Sequence, residues 1–152
     1  MLVKLTPDQI ANYWDALRPM IEAALPPTVS QDAENRMNYI LARLLSDNMH
    51  CWVVQRDGQI WGVGTAIIQE DAASGGRDLL IYSLYALPGA TGDDWEDAFK
   101  TGMKWAATQG CTRAVGYTTN PDMLSVLSQF GAEMWTYAMV PFVPLMDKGK
   151  ED

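Results

Sequence analysis

The feature that most constrains this chain is the run of residues 78–131, which reads as strand, loop, helix, strand, helix. Asp78-Leu-Leu-Ile-Tyr-Ser-Leu-Tyr-Ala86 is rich in branched and aromatic residues and predicts a strand. Residues 88–92 form a Pro- and Gly-containing loop. An amphipathic helix follows from Asp93 to Gln109, and Gly110 stops it. Residues 113–118 predict a second strand, and Asn120-Pro121 opens a short helix ending at Gly131. A strand, a crossover helix and a strand of these lengths make one right-handed βαβ unit with parallel strands. A small ligand is expected where the first strand ends and the helix begins, so residues 87–95 decide what the chain can do.

The preceding residues add two helices and a hairpin. Residues 1–5 predict a short strand, and Thr6-Pro7-Asp8-Gln9 is a capping box with proline at the first helical position. Ile10, Trp14, Leu17, Ile21 and Ala24 stripe one face of the helix it opens. Pro19 inside it predicts a kink or break near Arg18. Ser30 predicts the cap of a second helix with Met37, Ile40, Leu41, Leu44 and Leu45 inward. Asp57-Gly58 marks a type I′ hairpin, and a plain two-residue turn sets Val54 opposite Trp61 and Trp52 opposite Val63. Gly62 and Gly64 suggest a bulge or close helix packing in the second strand. Trp95, Ala98, Phe99, Gly102, Met103 and Ala106 should lie on the sheet, with Phe99 and Met103 largely buried. Residues 132–140 predict a closing strand. Residues 1–146 form one α/β domain with a mixed sheet, and 147–152 a charged, frayed tail.

The formal net charge of −8 argues against nucleic acid or an anionic membrane as partner. Cys51 and Cys111 stand apart without other ligand types, so reduced thiols and no metal site are expected. No signal-peptide pattern opens the chain, so secretion through a signal peptide is not expected.

The order β-α-α-β-β-β-α-β-α-β resembles the GNAT superfamily of acetyl-CoA-dependent N-acetyltransferases. The most specific stretch runs from Trp105-Ala-Ala-Thr-Gln-Gly110-Cys111 through a strand to Asn120-Pro-Asp-Met-Leu-Ser-Val-Leu-Ser-Gln-Phe-Gly131. It is similar to the family's helix end with Gly, strand, and Asn-x-x-Ala…Gly-Phe. Trp14-Asp-Ala-Leu-Arg-Pro-Met-Ile-Glu-Ala-Ala-Leu25 is similar to a segment of small GNAT-like proteins encoded by tailed bacteriophages.

The resemblance implies a mixed twisted sheet, and an acetyl-CoA site at Tyr85, Ala86, Leu87, Gly89, Gly92 and Asn120 if the cofactor binds. Two departures bear on that site. Active members carry Arg/Gln-x-x-Gly-x-Gly/Ala before the third helix, where backbone N–H groups hold the pyrophosphate. Ungapped alignment puts Ala90 at the Arg/Gln position and Asp93 and Trp95 at the glycines, with Asp94, Glu96 and Asp97 crowding the helix start. The family's thiolate-protonating tyrosine is replaced by Leu127, which has no proton to donate. No catalytic residue can therefore be named from sequence.

The expected role is a phage-type binding or virion-assembly module with a degenerate acetyl-CoA loop and no cofactor. A protein partner, such as a phage structural protein, would be met by Trp95, Asp93 and Asp94. The alternative is an acetyl-CoA-dependent N-acetyltransferase acting on an amine. Plain structural roles account for several of these residues equally well: a turn for Gly89 and Gly92, a helix cap for Asn120, packing for Tyr82 and Tyr85. His50, the one histidine, starts a strand with no evident acidic partner.

Overall fold

A computed structural model describes residues 1–26, 33–89, 91–118 and 121–140. Its elements are β1 (Leu2–Lys4), α1 (Pro7–Ala23), α2 (Ala33–Leu45), β2 (His50–Arg56), β3 (Gln59–Glu70), β4 (Arg77–Ala86), α3 (Gly92–Thr108), β5 (Cys111–Gly116) and α4 (Pro121–Gln129). Ser30, Asn120 and the tail at 147–152 lie outside the described residues. The strands form one sheet in the order β1-β2-β3-β4-β5. All pairs are antiparallel except β4 with β5, which is parallel as the βαβ pattern requires.

Thr6 caps α1 through the expected box with Gln9. The helix runs unbroken through Pro19, against the predicted break. Pro19 and Asp15, whose carbonyl loses its partner, are both exposed, so water can serve that carbonyl. α1 and α2 cover one sheet face, burying Ile10, Leu17, Ile21, Met37, Ile40 and Leu44 against Cys51, Val53 and Val63. Leu45 is 42% exposed, so it leaves the predicted inward face of α2. α3 covers the other face, where Trp52, Ala66, Leu79 and Ala106 are buried. Among the described residues no helix is long and apolar enough to cross a membrane.

The hairpin turns at Asp57-Gly58 with φ values of 52° and 76°, the left-handed pair that a type I′ turn needs. Its register departs from a plain two-residue turn. Gln55 pairs with Ile60 and Val54 with Gly62, so Trp61 is an extra residue in a bulge. Val54 therefore faces Gly62 rather than Trp61, and Trp52 faces Gly64 rather than Val63. A one-residue slip moves side chains to the other face. Trp52 accordingly packs with the α3 cluster while Val63 packs with α1 and α2.

A second bulge lies between β3 and β4. Thr65 pairs with Ser83 and Ala66 with Ile81, leaving Tyr82 as the extra residue. The Thr65 and Ser83 hydroxyls meet at 2.5 Å, both buried.

Residues 132–140 form no strand. Their apolar and aromatic content reads as β, yet strand structure needs a ladder partner, and no pairing with β5 forms. Trp135 is 86% exposed in consequence.

Candidate functional site

β4 and β5 are pinned together at one end and parted at the other. Asp78, 6% exposed, accepts from Arg113 Nε at 2.7 Å and Nη2 at 3.2 Å. The parallel ladder then ends at Ile81 with Gly116, while β4 runs on to Ala86. Residues 83–86 keep their β3 partners but, among the described residues, have no ladder on the β5 side. A cleft of about 1220 Å³ opens at this parting. Ser83 and Tyr85 line it beside the end of α1, and Phe99, Met103 and Leu127 line it from the α3 and α4 side. The cleft thus reaches both faces of the sheet.

Phe99 and Met103 are only half-buried, contrary to expectation, because the cleft runs beneath them. The Phe99 ring lies 4.6 Å from that of Phe130, which joins α3 to the end of α4.

The loop before α3 is held by the hairpin. Leu87 N–H donates to the Trp61 carbonyl at 2.9 Å. Gly89 has φ of 101°, and a Cβ there would meet the Trp61 ring at 3.0 Å, so glycine is required for two reasons. A Cβ at Gly92 would meet nothing within 4 Å, so packing does not require that glycine.

α3 begins at Gly92, with Thr91 as its cap. The Thr91 hydroxyl accepts from Asp94 N–H at 3.3 Å, and the Asp94 carboxylate accepts from Thr91 N–H at 2.9 Å. Arg56 pairs with the same carboxylate, and its guanidinium lies 5.3 Å from the Trp61 ring centre. The Thr91 backbone bond, with Arg56 and the Thr91 hydroxyl, holds the Asp94 pKa down at about 2. Glu96 pairs with Lys100 at 2.7 Å. Two of the four carboxylates at the helix start are thus matched by cations, and Asp93 and Asp97 remain exposed. The first-turn amides of Gly92 and Asp93 have no acceptor among the described residues.

Of the residues expected at the site, Tyr85 lines the cleft, Ala86 closes β4 against Gly62, and Leu87 and Gly89 belong to the clamped loop. Trp95 is half-buried and lines the cleft as well as a small cavity beside Arg56 and Trp61. Asp93 is exposed, and Asp94 is a cap rather than a free surface charge. Arg56, Trp61, Thr91 and the Thr65–Ser83 pair were not expected here. The Thr91-Gly-Asp-Asp94 spacing is a legible capping box, whereas Arg56 joins Asp94 across 38 residues and leaves no local signal.

His50 sits apart from the cleft. Contrary to the sequence reading it has an acidic neighbour, Asp47, whose Oδ1 lies 3.4 Å from Nδ1. Its ring meets Trp105 edge-on at 4.9 Å. Burial first, then Lys4, lowers its pKa below the ordinary 6.5, with Asp47 opposing in part. A histidine whose folded pKa is depressed stabilises the fold above the unfolded value, and that stability is lost as pH falls through the folded pKa. Melting temperature should therefore decline as pH falls below 6.5. His50→Gln should flatten that slope; an unchanged slope would place the acid sensitivity elsewhere.

Among the described residues no group of three or more His, Cys, Asp or Glu side chains could hold a metal ion. The Cys51 thiol is pushed up to about 12 by burial, so it is unreactive.

No family model matches the chain, and no curated protein matches its sequence. Solved structures do match. A probable acetyltransferase aligns with a TM-score of 0.70 and 14% identity, covering 93% of this chain and 97% of that one. An aminoglycoside acetyltransferase from an uncultured soil metagenomic sample gives 0.69 and 18%, covering 93% and 97%. A predicted acetyltransferase with acetyl-CoA from Clostridium acetobutylicum gives 0.69 and 14%, covering 95% and 97%. With the mixed five-stranded sheet and its flanking helices, these matches show that the chain has the GNAT acetyltransferase fold.

Proposed function

We propose that this chain binds acetyl-CoA between β4 and β5 and transfers the acetyl group to an amine. The observation that carries this reading is the parted end of the two strands, which leaves one edge of β4 without a strand partner among the described residues, above a cleft reaching both sheet faces. An elongated diamide such as the pantetheine arm suits a free strand edge, where residues 84–86 would offer backbone groups. The amides of Gly92 and Asp93 at the start of α3 would hold the diphosphate. When bound, acetyl-CoA supplies a thioester acetyl group that an amine takes up with loss of one proton and release of the thiol. Leu127 has no proton to give, but Tyr117 and Tyr137, which carry phenolic hydroxyls, line the same cleft.

A second reading is a non-catalytic binding module, including a phage-particle assembly role. The Asp94 carboxylate seated on its own helix start favours it, because it competes with a bound diphosphate. Trp95, Asp93 and Asp94 would then meet a basic protein surface. Incubation with acetyl-CoA and a panel of amines separates the two. The first reading expects free thiol and an acetylated amine by mass spectrometry. No product with any amine, together with capture of a basic protein that Trp95→Ala abolishes, would replace it with the second.

A further inference from the structure

The walls of the cleft restrict what amine can enter, and this inference rests on the acetyl-transfer reading above. Only two charged side chains among the described residues line the cleft, Arg113 and Glu133. Arg113 is tied to Asp78 at 2.7 Å and 3.2 Å. Glu133 has no cation within ion-pairing distance among the described residues. The cleft therefore offers one carboxylate for an incoming ammonium. Aromatic side chains line the cleft as well. The Tyr117 and Tyr137 rings lie 5.0 Å apart between centres and are tilted by 53°, and Trp135 and Tyr85 line the same cleft. Trp135 is 86% exposed, although a large apolar ring is normally covered.

We infer that the acceptor is a monoamine on an aromatic or similarly flat apolar body. Its ammonium pairs with Glu133, and its ring rests on Trp135 and the Tyr117–Tyr137 pair. A ring-carrying monocation matches this wall in both number of charges and shape. The indole and phenol faces also attract the cation directly. A polyamine or polyamino sugar brings several ammonium groups and finds one carboxylate. Each unmatched ammonium would lose water against apolar walls without a partner. Aminoglycosides, the substrates named for one protein of this fold, are therefore the wrong class here.

The test is calorimetric binding to the full chain, with tryptamine as the aromatic monoamine and spermidine as the polycation, each with and without acetyl-CoA. Tryptamine should bind about tenfold more tightly than spermidine, the scale of one well-made charged contact. Glu133→Gln and Trp135→Ala should each weaken tryptamine binding about fivefold or more while leaving acetyl-CoA binding unchanged. Both side chains are exposed, so neither variant should lose its fold. Spermidine binding as tightly as tryptamine would overturn the inference. So would acetyl-CoA binding without tryptamine binding, which leaves the acetyl-transfer reading standing. Tryptamine binding through Glu133 without acetyl-CoA binding would uphold the amine site and overturn the transfer reading.

Discussion

Leu44→Ala is expected to lower the unfolding free energy by about 2–5 kcal/mol. Leu44 is 0% exposed and lies in the cluster that joins α1 and α2 to the sheet. Truncation there removes buried methyl groups and leaves a cavity between two helices and β2, which cannot all move inward together. The adjacent Leu45 is 42% exposed and should cost well under ~0.5 kcal/mol on the same change. The pair reads the rotation of α2 directly. Chemical denaturation of both variants is the measurement, and equal losses would mean that α2 packs through a different face.

Acetyl-CoA at about one hundred times its dissociation constant should stabilise the chain by about 2.7 kcal/mol. A thermal melt detects this readily, and no shift at millimolar ligand would end the cofactor assignment. The Arg56–Asp94 pair then sets the affinity, with opposite signs at its two ends. Asp94→Asn keeps a capping oxygen and removes the charge facing the diphosphate. It should tighten binding about threefold to tenfold. Arg56→Gln removes a cation from the same place and should weaken binding by a similar factor, about threefold to tenfold. With the Asp94 pKa near 2, the carboxylate stays charged at every pH used for such assays, so acidification does not mimic the Asn variant. Shifts of the same sign in both variants would show that the diphosphate sits away from the start of α3.

Local chemistry made much of this fold legible in sequence. The Thr6 box, the Asp57-Gly58 turn and the strand–helix–strand run each specify a short stretch without help from the rest of the chain. The Trp61 bulge was legible only as two glycines in a strand. Its position depends on which face Trp52 and Val63 can bury, and that is settled by helices distant in sequence. Residues 132–140 misled for a related reason: β-like composition is local, but a strand exists only with its neighbour. At the site, Tyr85 and the clamped Gly89 were within reach of sequence reasoning. The electrostatics at the start of α3 were not, because a run of acidic residues does not reveal that Arg56 of the hairpin neutralises one of them.

The Asp78–Arg113 pair closes one end of the β4–β5 seam and leaves the other open. The two strands thereby work like a clothes peg, held shut by the ion pair and by the ladder from Arg77 with Cys111 to Ile81 with Gly116, and open beyond it. The backbone of the mouth is then set by the two strand ends, and residues 131–137 supply part of its lining. On the proposed function, substitutions in residues 132–137 would change the lining of that mouth while the backbone of β4 and β5 keeps its spacing. On that reading, a different acceptor would call for different lining residues and no new frame.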